Sequence, residues 1–182
     1  MTTSSAEEIF TFIAYDKDQD LGKAYNKMMK LVKEDDWVVF LDHDAMFVHR
    51  DWYKYLQTVI QHNPEFQFFT ATTNRIGCPW QVVHGVDKNN HDMFYHKQIA
   101  KELMDRDLGV IDVTNQHVPL SGVVMIVQKK TWDKIGGAKS GFLGVDNDLH
   151  YKCRQNGIKV GLIPSLYTYH WYRGDGDTSH LS

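Results

Sequence analysis

A single α/β domain with a mostly parallel central sheet flanked by helices is the fold this sequence predicts, on three observations. Apolar strand-like runs alternate with helix-period stretches through the first half of the chain, the pattern of βαβ units. A length of 182 residues gives one domain a sizeable core and leaves little room for two. Apolar residues make up 42 % and charged residues 24 %, the proportions of a soluble globular protein.

The elements follow in order. Ile9 to Tyr15, IFTFIAY, is rich in aromatic and β-branched residues and reads as a buried strand. A polar loop, DKDQDLG, comes next. Lys23 to Val32 reads as a helix, with Ala24, Met28 and Leu31 on one face. Val38 to Leu41 is the second strand. Asp51 caps a helix whose apolar stripe is Trp52, Tyr55, Leu56, Val59 and Ile60, and Asn63-Pro64 ends it. Phe66 to Thr72 is a third strand. Residues 73–119 are polar and glycine-punctuated and predict an irregular insert with one helix near His91 to Arg106. Gly122 to Val127 is a buried strand. A short helix around Thr131 to Ile135 stops at Gly136-Gly137. Asp146 to Gln155 is helical, Gly157 stops it, and Ile158 to Ile163 and Leu166 to Trp171 are the last strands. The reading divides the chain into a first half (9–72), the irregular insert (73–119), a second half (120–172) and a mobile tail (173–182).

Composition excludes several classes. The formal charge is −3 with no basic stripe, which argues against a nucleic-acid partner. No apolar run approaches the roughly 20 residues of a membrane span. MTTSSAEEIF lacks the basic start and apolar core of a signal peptide, and Cys78 and Cys153 have no partner at metal-ligand spacing. These features predict a cytoplasmic protein in a reducing compartment.

The chemistry is concentrated in WVVFLDHDAMF, Trp37 to Phe47. Asp-x-Asp is cheap here, since 18 aspartates generate the pattern six times. Only Asp42 and Asp44 directly follow a buried-type strand. Side chains at i and i+2 of an extended chain share a side. Two carboxylates held there repel, and a hard divalent cation such as Mg²⁺ or Mn²⁺ relieves that repulsion. The open alternative is a solvated turn with two surface acids. DKDQDLG imitates a calcium loop, but Leu21 stands where such a loop needs Gly and Lys27 where it needs Glu.

Three later stretches, taken in order with the strand-borne Asp pair, carry a resemblance. They are LSGVVMIVQKKTWDKIGGA (Leu120 to Ala138), GFLGVDNDLHYKCRQNGIKVGLIP (Gly141 to Pro164) and TYHWYRG (Thr168 to Gly174). Together they resemble a compact GT-A glycosyltransferase of the family 2 type, a Rossmann-like fold. In that family an Asp-x-Asp strand precedes an "sGg" strand, a "GG" turn, an "ED.DL..R...G" helix and a late histidine. LGKAYNKMMKLV, Leu21 to Val32, resembles the family's "G...arN" helix.

The resemblance implies transfer of a sugar from a nucleotide-diphosphate donor, UDP being the commonest, to an unknown acceptor hydroxyl. Asp44 would ligate Mn²⁺ or Mg²⁺, Asp42 would reach the ribose or the metal, and His170 would complete the protein ligands. Asp146 aligns with the family's base of inverting members. Val145 replaces the glutamate before it. The family's extra strand–helix–strand after the first strand is missing. Nucleotide contacts then fall to Ala14, Tyr15, Asp16 and Lys23, with Asp42 and His43. Ser121, Gly122, Trp80 and Asp148 are the acceptor-side candidates. Trp171, Tyr172 and Tyr95 are further stacking candidates, and the tail from Arg173 to His180 is a candidate lid. Asp146 and Asp148 also read as helix-capping acids, and His170 as a buried strand histidine. Two other classes stay open: a nucleotidyltransferase on a related sheet, which should carry a basic glycine-rich loop where DKDQDLGK is acidic, and a non-catalytic sugar-nucleotide or metal-binding module.

Overall fold

The computed structural model describes residues 7–171. Tyr172, the tail and its lid role lie outside the described residues. Seven strands form one sheet, in the order β1-β2-β6-β4-β7-β3 with β5 on β7. The strands are β1 (Ile9–Phe12), β2 (Trp37–Leu41), β3 (Ala45–Phe47), β4 (Phe66–Thr73), β5 (Ile111–Asp112), β6 (Val124–Gln128) and β7 (Lys159–His170). The helices are α1 (Leu21–Met29), α2 (Trp52–His62), α3 (Met93–Arg106), α4 (Lys129–Lys134) and α5 (Val145–Gln155), with a 3₁₀ turn at Pro79–Gln81.

The α/β class holds, but the sheet is mixed rather than mostly parallel. β1 runs parallel to β2, and β4 to β7. β6 is antiparallel to both β2 and β4, and β3 and β5 are antiparallel to β7. A hydrophobic run records burial and not direction, so the antiparallel pairings of β6 left no mark in the sequence.

Two apolar layers sandwich the sheet. Val38 and Phe40 of β2 and Met125 and Val127 of β6 face α1, α4 and α5, meeting Tyr25, Trp132 and Leu149. Their alternates, Val39, Val124 and Ile126, face α2 through Leu56, Val59 and Ile60. Phe40 lies 4.5 Å from Tyr25 and 5.5 Å from Trp132 between ring centroids. Burying a side chain of this size contributes about 1.5–3 kcal/mol. A third cluster sits under α3, where Ala100 and Leu103 cover Tyr167 and Tyr169.

Several boundaries shift for physical reasons. α1 ends at Met29, with Lys30 as C-cap, so Leu31 leaves the predicted stripe and is 72 % exposed; Tyr25 and Met29 are buried instead. Asp51 occupies the α2 N-cap without capping it, since its carboxylate accepts from Arg50 Nε. The two final strands are one strand. Its register slips between Ala71–Ile163 and Thr72–Tyr167, where Pro164 lacks the ladder N–H. Thr72 Oγ1 donates to the Pro164 carbonyl at 2.9 Å, and Ser165 Oγ accepts from Leu108 N.

Asp20, inside the loop that imitates a calcium site, caps α1 by accepting from Lys23 N at 2.8 Å. It also accepts from Gly141 N at 2.9 Å and from Ser140 Oγ. Gly22 N donates to Gly141 O. The loop 139–144 is therefore fastened across the first turn of α1, while Phe142 and Leu143 at its crown are 59 % and 81 % exposed. Asn26 completes the joint: its amide pairs with both backbone groups of Ala138 and accepts from Trp132 Nε1.

Within a helix alanine is favoured over glycine by about 1 kcal/mol. At Gly22 an added Cβ would stand 1.7 Å from the Lys139 carbonyl oxygen, a backbone atom that cannot swing away. Gly22→Ala is therefore expected to destabilise the protein by about 1–3 kcal/mol, read as a lower urea midpoint at unchanged m. A gain in stability would show that the loop does not press on α1.

Candidate active site

The site is built where β2 leaves the sheet. Asp42 N donates to Val123 O, and Ala45 N closes a turn on Asp42 O, both at 3.1 Å. The chain re-enters at once as β3, whose Ala45 pairs with His170 at the end of β7. Trp171 N donates to Asp44 O at 3.0 Å. This short antiparallel ladder brings His170 to Asp44, with Nε2 3.3 Å from Asp44 Oδ1. Asp42, Asp44 and His170 each offer a ligand atom, all within 4.8 Å of one another.

His170 is held from behind. Its Nδ1 donates to the Arg75 carbonyl at 2.9 Å, which leaves the Nε2 lone pair facing the carboxylates when the ring is neutral. Asn74, fully buried, accepts from His170 N at 2.8 Å and donates to His170 O at 3.1 Å. Sequence reading missed Asn74 and Arg75, which lie in a stretch without periodicity.

Burial pushes the Asp42 carboxyl up to about 6; Asp44 and Asp146 add to the rise while His170 and His43 oppose it. Burial also acts to raise Asp44, but the hydrogen bond and charge of His170 outweigh it and hold Asp44 below the usual carboxylate range. Burial opposes charge on His170, and its bonds to Asp44 and to the Arg75 carbonyl hold its pKa above the ordinary histidine value. Two acids and an imidazole that perturb one another in this way suit a divalent cation, and the oxygen-rich donor set suits Mn²⁺ or Mg²⁺.

Asp146 enters from the opposite side. α5 starts at Gly144 with φ +70° and no side-chain cap. Asp146, in the first turn, ties the helix start to the segment before β6: Oδ2 accepts from Gly122 N at 2.7 Å and Oδ1 from the first-turn amide of Asn147 at 2.9 Å. A Cβ on Gly122 would lie 3.0 Å from Asp146 Cβ, so glycine lets α5 approach. The Gly122 N–H reaches Asp146 and the next residue's carbonyl reaches Asp42 N. One peptide step thus links the acid pair to the α5 carboxylate. Tyr25, also missed, projects into the same field: burial, then Asp42 and Asp146, push its phenol pKa upward.

The other candidates are dispersed. Phe12 pairs with Phe40, so Ala14, Tyr15 and Asp16 leave the sheet at the same end as Asp42. Tyr15 is 80 % exposed. Lys23 lies 4.0 Å from Asp16 and 3.8 Å from Asp18. His43 is exposed. Asp148 is engaged with Lys152 at 3.0 Å, which itself donates to Gly137 O. Trp80 donates to Val118 O and packs edge-on against His150. The Tyr95 hydroxyl accepts from Asp87 N at 2.9 Å. Trp171 is 56 % exposed beside His91.

A family model described as "Glycosyltransferase like family 2" matches residues 11–178. No curated protein matched the chain.

Asp42 gives a pH signature. Its folded pKa is raised, so its contribution to stability is full below the ordinary value of 3.8 and is lost as pH rises through about 6. Without metal, the melting temperature is expected to fall over that window relative to Asp42→Asn, which lacks the titration. Manganese at neutral pH is expected to reverse the loss. Parallel profiles for the two proteins would contradict the assignment.

Proposed function

This chain belongs to the glycosyltransferase family 2-like proteins, and from that premise we propose that it transfers a hexose from a nucleotide-diphosphate donor, a UDP-sugar, to an acceptor hydroxyl with inversion. The observation that carries this reading is the convergence of Asp42, Asp44 and His170, one peptide step from Asp146.

Asp44, His170 and Asp42 would hold Mn²⁺ or Mg²⁺, which when bound neutralises the charge that grows on the departing diphosphate. Asp42 and His43, with Ala14, Tyr15 and Asp16 at the neighbouring strand end, flank the nucleoside. Lys23 exchanges its two long carboxylate contacts for the diphosphate. Asp146 takes the proton of the acceptor hydroxyl as that oxygen bonds to the anomeric carbon. The bond from that carbon to the diphosphate oxygen breaks on the far face, and the electron pair leaves with the nucleoside diphosphate. Ser121 and Gly122 border the acceptor's path, with Trp80 and Asp148 farther along it. The two cysteines are buried and unpaired, which fits a reducing compartment, and the cytoplasm is our reading of its location. No helix among the described residues is long and apolar enough to cross a membrane.

The test is a panel of nucleotide sugars with Mn²⁺ or Mg²⁺, read as nucleoside diphosphate release with and without added alcohols. Release from at least one donor is expected. No release from any would mean a binding module, and pyrophosphate from a nucleoside triphosphate plus sugar phosphate would mean nucleotidyl transfer. Asp44→Ala is expected to abolish metal-dependent UDP binding in calorimetry. Asp146→Asn is expected to keep that binding and lose transfer by about 10²–10⁴-fold; transfer at the wild-type rate would remove Asp146 as base.

A further inference from the structure

We propose that Gln81 is a positioning residue for Asp146, fixing the Ser121–Gly122 peptide to which the Asp146 carboxylate is bound. The inference rests on the reading of Asp146 as base.

Leu120 to Gly122 leads into β6 and is held by side chains. Leu120 N donates to His150 Nδ1 at 2.9 Å, and Asn147 Nδ2 donates to Leu120 O at 3.1 Å. Both partners ride on α5, the helix that carries Asp146. Gln81 grips the same segment from outside α5. Its Oε1 accepts from Ser121 N at 2.7 Å and its Nε2 donates to Ser121 O at 3.1 Å. The second Nε2 proton goes to Thr70 Oγ1 on β4 at 2.8 Å, and Thr70 Oγ1 donates to Val124 O. The next N–H along, that of Gly122, holds Asp146 Oδ2 at 2.7 Å.

Gln81 is completely buried, and a buried amide is costly unless its polar atoms are paired. Here both N–H groups and the oxygen are used, and the partners allow one orientation of the amide. Packing alone would be served by methionine, which has similar volume and no polar demand. The amide does what methionine cannot: it references Asp146, through one peptide, to the central strand β4. General-base work tolerates little error in where the carboxylate points, and a misplacement of about 1 Å can cost about 100-fold.

Two variants test this with the donor that releases diphosphate fastest in the panel, water serving as acceptor. Gln81→Met is expected to lower kcat about 10- to 100-fold at unchanged donor KM and unchanged UDP–Mn²⁺ binding. Hydrogen exchange at the Ser121 amide should accelerate. Gln81→Glu adds a readout that simple loss of packing would not give. A neutral carboxyl can accept from Ser121 N and donate to Ser121 O, whereas a carboxylate cannot donate. Burial raises the pKa of such a group. Its kcat relative to wild type should therefore approach unity at low pH and fall as pH rises. On an Asp146→Asn background, Gln81→Met should cost nothing further. A Gln81→Met enzyme with wild-type kcat, a Gln81→Glu enzyme with the wild-type pH profile, or loss of UDP–Mn²⁺ binding in Gln81→Met would each overturn the proposal. If Asp146→Asn itself transfers normally, the base reading fails first and takes this inference with it. If Asp146→Asn is inactive while Gln81→Met is not, this inference alone fails.

Discussion

The pairing of a three-residue strand with the last residues of β7 is the constraint on which the site depends. β3 follows the Asp42–Asp44 turn without a loop, and its first residue lies opposite His170. A longer turn would set the acids and the imidazole apart. The ladder is too short to be stable alone, so it draws on Asn74, which brackets the His170 backbone, and on Trp171 N, which closes onto Asp44 O. The cost of burying an acid there, with a second acid beside it, appears in the raised pKa of Asp42. A fold built for stability alone would avoid that cost, so the arrangement fits a site made to be completed by a cation.

The resembling segments touch one another, which explains why their order is informative when each one is weak. Asn26 of the α1 segment grips Ala138 after the glycine pair, and Lys152 of α5 donates to Gly137. Gly122 of the β6 segment meets Asp146 of the α5 segment. Each short pattern is half of a joint whose other half lies elsewhere in the chain. A random occurrence of one half has nothing to close on.

Elements with a strong period were legible from sequence: β2, α2, β4 and β6 differ from their expected spans by only a residue or two. Strand ends and motif order also singled out Asp42, Asp44 and His170, which the fold brings together, and Asp146, which it joins to Gly122. Direction was not legible, which is why the sheet was expected to be mostly parallel. β3 was hidden because three residues carry no periodic signal. Pro164 split β7 on paper, yet a bulge absorbs it in the sheet. Gln81 and Asn74 were invisible for another reason. Their neighbours in sequence give no hint that an amide is buried, since the bonds that pair it come largely from residues far along the chain, Ser121 for Gln81 and His170 for Asn74. Asp20 was visible but misplaced, an acid in a loop that proves to be a clasp between α1 and the segment before α5.

That clasp has a consequence for how such a protein could diversify. Asp20 and Gly22 secure the root of the 139–144 loop, while Phe142 and Leu143 at its crown carry no part of the core. Changes at the crown therefore leave the framework intact, and the crown stands only a few residues from Asp146. The loop is a natural cassette: a place where grafted sequence could retune what the surface greets without disturbing the machinery beneath.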